Sequence, residues 1–480
     1  MAKRRGRKRK VKLPLWLSLS VLLIVVLVFG ILYFTGEISL VGLSQSNQNK
    51  KDDTTVVTTT NATTTLIETT TNNTTTLTET TTNATTTLNT TTNQATTTIE
   101  NINPEEGIIY DDFQIHFMML NNSAAGDSIY IKAGENDILI DAGSNTTSYS
   151  YTSNYIDNYC KDKKLEFVVA THGDKDHIAC FPKFCNDYKI DTIIYNGLTT
   201  KATDTYNNMI SAFNNEVDTD GAKICLASDC FNNTNGAQSE YQLSDNVKMT
   251  IVYNYYYFNK ASDENDYSVC LLFTYTNGTD SHYFFLGGDL EKAGEKKLAE
   301  YYDGSTEEKT FPHVDLYKAG HHGSKTSSNA DFLELLQPKM CVVCCCCGTD
   351  EYTGITDNQF PTQDFITRIA KWTEDVYVTT IYDTFEIAVA EQATDSKTGE
   401  LKYDSKGNPV SKVTGVAVGE EYIKTSGFKP MNGNIVVSCG DLGIGLACSN
   451  NNTKLKDSAW FNQEIVLNGV TRTLRTWPTN

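Results

Sequence analysis

Three patterns of apolar and polar residues follow one another along the chain. Residues 13–34 contain no charged residue and are rich in Leu, Val and Ile. Residues 54–98 are mostly Thr and repeat every eleven residues from Asn61 onward. From residue 108, short aromatic and β-branched clusters alternate with Gly, Asn and Asp. These patterns predict a membrane helix, a stalk and a globular region, in that order.

We expect residues 13–34 to form one uncleaved membrane-spanning helix. At a rise of about 1.5 Å per residue, such a helix would span roughly 33 Å, which matches the hydrocarbon core of a bilayer. Eight Lys and Arg residues lie in segment 1–12, and the positive-inside rule keeps such a segment in the cytoplasm. The alternative is a cleaved signal peptide, although the apolar run is long and does not end in small residues. The prediction is a single-pass protein of the cell membrane whose C-terminal region is extracellular.

Residues 35–106 are predicted to form an extended, disordered stalk rich in Thr. One or two Leu or Ile residues per repeat cannot seal a helical seam, and Thr is a poor helix former. A segment with so few apolar residues cannot bury a core of its own.

The globular region is predicted to be an α/β domain in which helices cover layered sheets. One of its apolar runs is followed by a loop rich in potential metal ligands, with His172, Asp174, Asp176 and His177 within six residues. Residues on a loop are not confined to one helical face, so several of these side chains can converge on one metal ion. The alternative is a solvated acidic loop.

Two further polar groups follow predicted strands. Asp289 comes after two glycines, which allow close backbone approach, and its carboxylate can bridge two cations. His321 and His322 lie in a Gly-His-His-Gly-Ser segment, where adjacent side chains point in different directions. One histidine of the pair can therefore bind a metal while the other contacts substrate or packs.

Together these strings resemble the metallo-β-lactamase fold, in particular the hydrolase domain of ComEC-type competence DNA-uptake proteins. They occur in the order of that family over roughly residues 110 to 350. The matching strings are Ala125-Gly-Asp127-Ser-Ile, Leu139-Ile-Asp141-Ala-Gly143, His172-x-Asp174-x-Asp176-His177, Asn265-Asp-Tyr-Ser268, Gly288-Asp289 and Gly320-His-His-Gly-Ser324.

The resemblance implies an αββα sandwich over residues 107–445, with an insertion at about 385–430 and an extension of unknown role at 446–480. It also implies two divalent ions, either Zn²⁺ or Mn²⁺/Mg²⁺. The implied metal ligands are His172, Asp174, Asp176, His177, Asp289 and His321. Asp176, His322 and Ser324 are the implied catalytic residues, and Asp141, Asp127 and Asn265 are expected to support the ligands from behind.

Two departures from the family pattern bear on this expectation. The family usually supplies another histidine between the first loop and the bridging aspartate, where this chain has only His282. It also tends to show a His-Pro pair where this chain has Phe360-Pro361. One ion is therefore expected to be weakly held, and the substrate stays open.

The net charge of the chain excludes some classes of function. Without segment 1–12 the chain carries 32 basic and 59 acidic residues, a formal charge of −27. Such a region repels polyanions, which excludes a generic basic nucleic-acid binder. Only local donors such as Lys175, Lys318 and Lys325, together with metal ions, would hold a phosphate.

The sequence therefore favours a membrane-anchored extracellular hydrolase of phosphodiester bonds, with nucleic acid as the substrate that the resemblance implies. The alternatives are a hydrolase of another envelope phosphodiester or ester, and a stalked surface module that only binds. No obligate protein partner is inferred.

The thirteen cysteines are an odd number, so they cannot all be paired. The five cysteines of segment 341–347 are expected to be small core residues, because neighbours along a strand alternate between its faces. Cys180 with Cys185, and Cys225 with Cys230, could form disulfides outside the cell.

Overall fold

The computed structural model describes residues 66–71, 74–79, 105–121, 126–350, 352–461 and 463–479. The predicted cytoplasmic segment and membrane helix, residues 1–34, lie outside the described residues. Within the described part, no helix is long and apolar enough to cross a bilayer. The chain divides into two units, Met1–Thr97 and Thr98–Asn480.

Part of the predicted stalk forms an antiparallel hairpin. Strand β1 (Leu66–Thr71) pairs with β2 (Thr74–Glu79). The prediction of a disordered stalk is wrong for these two segments, because β-branched Thr favours the extended strand conformation. The predicted boundary at residue 107 also falls slightly late, since β3 (Glu105–Glu106) pairs with a strand of the globular unit.

The globular unit contains two mixed sheets. The strands of the nine-stranded sheet are β3, β4 (Phe113–Phe117), β5 (Ile129–Ala133), β6 (Asn136–Ile140), β7 (Lys164–Ala170), β8 (Lys189–Tyr195), β9 (Lys223–Leu226), β18 (Ile435–Gly440) and β19 (Gly443–Cys448). Those of the eight-stranded sheet are β10 (Glu240–Gln242), β11 (Val247–Ile251), β12 (Leu271–Asn277), β13 (Asp280–Leu286), β14 (Leu316–Lys318), β15 (Met340–Cys347), β16 (Val376–Val389) and β17 (Glu421–Pro430). Strands β6 to β9 run parallel, as do β13 to β16.

Eight α-helices are described, of which seven cover the outer face of a sheet, while the short helix at residues 227–232 packs on the layer between the sheets. They are α1 (Thr146–Ile156), α2 (Lys175–Ile178), α3 (Phe181–Asp187), α4 (Asp204–Asp220), α5 (Ala227–Asn232), α6 (Lys292–Tyr301), α7 (Ala330–Leu336) and α8 (Gln363–Ile369). Their ends follow local sequence signals. Helix α4, for example, begins after Thr203, whose side chain accepts a hydrogen bond from Tyr206 N, and ends at Gly221 with a φ of 73°.

Three apolar layers hold this arrangement together. Phe113 of the first sheet packs on Phe273 and Phe284 of the second, with ring centroids 5.8 and 5.2 Å apart, so the sheets meet face to face. Outside them, Phe184 of α3 packs over the first sheet and Leu298 of α6 over the second. The order helix, sheet, sheet, helix confirms the predicted αββα sandwich.

Every residue of β15 is buried, as expected for a core strand. Cys344 faces the layer between the sheets, whereas Cys341, Cys345 and Cys347 face the outer layer. Neither predicted disulfide is present, since Cys180, Cys185, Cys225 and Cys230 are all free thiols. Cys180 instead donates a hydrogen bond to Asn145 O.

The predicted insertion is the outer part of the long β16–β17 hairpin together with residues 390–420. The C-terminal extension adds a small hairpin, β20 (Glu464–Leu467) and β21 (Val470–Thr473). Its Trp460 and Leu474 are buried in the same apolar layer as α8. The extension is therefore part of the sandwich.

Candidate metal centre

The predicted motifs meet where the carboxyl ends of parallel strands from both sheets lie together. Asp141 follows β6, loop 171–177 follows β7, Asp289 follows β13 and loop 319–324 follows β14. The carboxyl ends of parallel strands are the usual place for ligand sites in α/β folds.

Four buried side chains form the floor of the centre: His172, His177, Asp289 and His322, each at most 2% exposed. Asp289 Oδ2 lies 3.0 Å from His177 Nε2 and 3.1 Å from His322 Nε2. Asp176 reaches the same point from above, with Oδ2 3.3 Å from His322 Nε2.

Hydrogen bonds behind the floor fix two of the imidazole rings. His177 Nδ1 donates to Asp141 Oδ2 at 2.7 Å, and Asp141 also accepts from Thr171 N and Oγ1 at 2.8 and 2.7 Å. His322 Nδ1 donates to the carbonyl of Cys344 at 2.8 Å. Because both Nδ1 atoms are engaged, both Nε2 atoms are directed at Asp289.

His172 supplies a nitrogen that nothing in the described protein satisfies. Its Nδ1 lies 3.0 Å from Thr171 Oγ1, but its buried Nε2 has no hydrogen-bond partner. A buried polar atom without a partner costs about 1–3 kcal/mol. Nitrogen and oxygen atoms of His172, His177 and Asp289 lie within 4.8 Å of one another, as do those of Asp176, His177 and His322.

These residues fit a divalent cation. Imidazole nitrogens and carboxylate oxygens are the ligands of Zn²⁺ and Mn²⁺ in proteins, and an ion here would satisfy His172 Nε2. The residues that would hold it are His172, Asp176, His177, Asp289 and His322.

Burial and neighbouring carboxylates shift the pKa values of the three floor histidines. Burial alone would lower the pKa of His177, but the carboxylates of Asp289 and Asp141 outweigh it and raise that pKa well above its usual value. For His322, Asp289 and Asp176 likewise outweigh burial and raise the pKa to about 10. Burial lowers the pKa of His172 well below its usual value, so its ring is neutral and keeps a lone pair for a ligand bond.

The rim of the centre is more open. It consists of Asp174, Asp176, His321 and Tyr352, which are 39%, 20%, 25% and 42% exposed. Asp174 Oδ2 lies 3.9 Å from His172 Nε2. Burial raises the pKa of Asp174 to about 6.

The two adjacent histidines lie in different parts of the centre. His321 was expected to bind metal, but His322 lies in the floor, while His321 Nδ1 donates to Glu291 Oε1 at 2.6 Å. Both residues have positive φ, 42° and 54°, and their rings are tilted 70° apart. This turn sends one ring inward and the other to the rim.

Two other predicted residues, Asn265 and Ser324, are buried and lie beside Glu291. Asn265 Nδ2 lies 3.3 Å from His321 Nδ1 and 3.4 Å from Glu291 Oε1. Ser324 Oγ is 2.8 Å from Thr326 Oγ1, which donates to Glu291. The structure places neither Asn265 nor Ser324 in contact with the floor.

Lys318 has a different place from the one predicted. It was expected to meet substrate, but it is fully buried and its Nζ lies 3.0 Å from Asp289 Oδ1. It also forms an ion pair with Asp127, the carboxylate that was expected to support the ligands. A lysine between the apolar residues Tyr317 and Ala319 is a signal of burial that could have been used.

The missing family histidines are not replaced by other imidazoles among the described residues. His282 lies on β13 with its Nδ1 3.3 Å from Asp315 Oδ2, away from the floor. The residue that follows β8 is Asn196, not a histidine, and its side chain donates to the carbonyl of Tyr267 at 2.7 Å. Phe360 covers the other side, with its ring centroid 5.4 Å from that of His321 and 5.9 Å from that of His322.

Three residues that sequence reasoning missed hold the surrounding loops. Glu264 accepts from Gly173 N at 3.1 Å, and a Cβ at Gly173 would collide with that carboxylate. Tyr352 donates to Asp176 Oδ2 at 2.9 Å. Arg475 of the C-terminal extension is 2% exposed and donates to the carbonyls of residues 356, 359 and 361, next to Phe360. No motif marks these contacts, because each joins segments distant in sequence.

Comparison with known proteins agrees with this centre. Residues 124–244 match the family model of the metallo-beta-lactamase superfamily. ComE operon protein 3 of Bacillus subtilis (strain 168) is 25% identical over 186 residues, which cover 38% of this chain and 20% of that protein. The match therefore spans about one fifth of that relative's length.

Solved structures are more distant. The metallo-beta-lactamase fold protein YhfI from Bacillus subtilis is 11% identical, with a TM-score of 0.32, over 56% of this chain and 97% of that one. MEM-A1, a subclass B3 metallo-beta-lactamase from a soil metagenome library, is 12% identical, with a TM-score of 0.25, over 40% and 66% of the two chains. The family match, the αββα sandwich and the cluster of His and Asp residues together confirm the predicted resemblance of this region to the metallo-β-lactamase superfamily.

Proposed function

We propose that this protein is a metal-dependent hydrolase of phosphodiester bonds. The observation that carries the proposal is the floor, where three imidazole rings and a carboxylate converge and one buried nitrogen lacks any partner. Such a set of residues holds a cation. The hydroxyl of Ser268, which accepts from Asp289 N at 3.0 Å, donates to the carbonyl of Asn265 at 2.7 Å and is therefore engaged with the backbone.

A divalent cation in this place supplies Lewis-acid activation of water and stabilisation of negative charge on phosphoryl oxygens. The chain's own residues orient that chemistry. Asp141 and the carbonyl of Cys344 fix the rings of His177 and His322. Phe360 packs against the rings of His322 and His321 and covers that side of the centre, and His321 lies at the rim, where an incoming substrate would pass.

The substrate class follows from the resemblance to the ComEC-type hydrolase domain, which implies nucleic acid. A second candidate is another envelope phosphodiester, such as a wall polymer or a lipid head group. The formal charge of −27 disfavours every long polyanion, a charged wall polymer as well as nucleic acid, and so does the burial of Lys318, which leaves Lys175 and Lys325 as the exposed cations of the two loops. Both observations favour a short phosphodiester such as a lipid head group.

The test uses the full-length protein in detergent with bis-p-nitrophenyl phosphate, single-stranded DNA and a glycerol-phosphate polymer. Each substrate is assayed with Zn²⁺, Mn²⁺ or Mg²⁺ and after chelation. We expect hydrolysis that chelation abolishes and that His322→Ala removes. His313→Ala is the matched control, because His313 is exposed and away from these loops. Metal binding without cleavage of any substrate would favour the module that only binds.

We also propose that residues 13–34 anchor the protein in the cell membrane with the globular unit outside. Protease added to intact cells should then release the globular unit by cutting in residues 40–104. Protection of that segment until the membrane is breached would reverse the orientation.

A further inference from the structure

The surroundings of Lys318 bear on how many ions the centre holds. Lys318 ends β14, a strand buried at all of its positions. Its Nζ donates to the carbonyl of Gly288 at 2.9 Å and to Asp289 Oδ1 at 3.0 Å, and it is paired with Asp127. The ammonium group is therefore enclosed between two carboxylates and has no exposed surface.

Because of the contact with Lys318, the two carboxylate oxygens of Asp289 have different partners. Oδ2 faces the Nε2 atoms of His177 and His322, whereas Oδ1 faces the ammonium group of Lys318. A second cation cannot use Oδ1 unless it displaces Lys318. It would also be repelled by a fixed positive charge that burial screens only weakly.

The other potential ligands are also divided unequally between a first and a second ion. Asp176, His177, Asp289 Oδ2 and His322 surround one point. Among the described residues, this leaves His172 and the 39% exposed Asp174, whose Oδ2 lies 3.9 Å from His172 Nε2, for a second ion. His172 Nε2 also lies within 4.8 Å of ligand atoms of His177 and Asp289, so it can complete the first set.

We propose that the centre binds one divalent ion tightly and that the ammonium group of Lys318 takes the place of the second cation. This proposal rests on the metal dependence proposed above, but not on any particular substrate. It differs from the two ions that the sequence resemblance implies.

Metal titration of the full-length, chelator-treated protein tests this directly. We expect one equivalent of Mn²⁺ or Zn²⁺ in calorimetry and elemental analysis, with a second equivalent at least about 100-fold weaker, given two ligands in place of four or five. At two added equivalents, Mn²⁺ electron paramagnetic resonance should show an isolated ion. Two equivalents of similar affinity, or an exchange-coupled spectrum, would overturn the one-ion proposal and leave the proposed function intact. A protein that binds no ion would overturn both.

Lys318→Met sharpens the test. Without the ammonium group, Asp127 and Asp289 Oδ1 become available, so the second equivalent should bind at least about tenfold more tightly. An unchanged second equivalent would contradict the role of Lys318. Lys339→Met is the matched control, because Lys339 pairs with Asp315 outside the centre. If Lys318→Met does not fold, the wild-type stoichiometry and resonance spectrum still decide.

Discussion

The floor and the rim of the centre are built in different ways. Floor side chains lie on the short segments that follow strand ends and are at most 2% exposed, and hydrogen bonds fix two of the histidine rings, as Asp141 fixes His177. Rim side chains are 20–42% exposed. The rim loop 352–361 is held by Arg475 of the C-terminal extension. The strand ends thus position the proposed metal ligands, whereas the surrounding loops and the C-terminal extension line the approach to them.

The largest expected contrast is between Asp289→Ala and Asp174→Ala. Asp289 contacts two floor histidines and Lys318, so its loss should abolish tight metal binding and lower kcat/KM by about a thousandfold or more. Asp174→Ala should cost about tenfold or less, because an exposed ligand contributes less than a buried one. Metal content and steady-state kinetics of both variants measure this. Full metal stoichiometry in Asp289→Ala would remove Asp289 from the centre.

The adjacent histidines provide the next contrast. His322→Ala should lose metal affinity together with activity, since His322 Nε2 lies in the floor. His321→Ala should keep one equivalent of metal and lose activity only in part, because its ring contacts Glu291. Calorimetric titration separates the two variants. The opposite result would restore the sequence-based assignment of His321 as the ligand.

His321 and His322 also show which features of the centre can be predicted from the sequence and which cannot. The sandwich and the His and Asp residues at the strand ends were predictable, because apolar runs and the polar residues after them are local patterns. The direction of each histidine was not, since it depends on two consecutive positive φ angles that only the packed loop determines. Tyr352 and Arg475 carried no signal, because their partners lie far away in sequence.

Asp141→Asn should have an intermediate effect. Asp141 supports the floor by accepting from His177 Nδ1 and does not itself face the cluster of Nε2 atoms. Loss of its charge should lower metal affinity or kcat/KM by about 10- to 100-fold. The same assays apply, with Asp187→Asn as a surface control. A loss as complete as that of Asp289→Ala would make Asp141 a direct ligand.

Arg475→Lys tests the support of the rim. Lysine keeps the charge but lacks the planar fork that reaches three backbone carbonyls at once. Phe360 should then be held less firmly, so KM should rise about five- to tenfold while metal stoichiometry stays at the wild-type value. The melting temperature should fall by a few degrees. An equal loss of bound metal would show that the extension supports the floor as well.

The smallest expected effect belongs to Tyr352→Phe. Its hydroxyl donates to Asp176 Oδ2 at 2.9 Å, and its ring centroid lies 5.5 Å from that of Phe360. The substitution removes the hydrogen bond but keeps the ring, and a hydrogen bond to a charged group contributes about 1.5–3 kcal/mol when buried and less at an exposed position. We therefore expect a change of about two- to fivefold in kcat/KM, with unchanged metal binding. Tyr352→Ala also removes the ring and should raise KM further. If Tyr352→Phe instead released the metal, the boundary between floor and rim would have to move outward to include Tyr352.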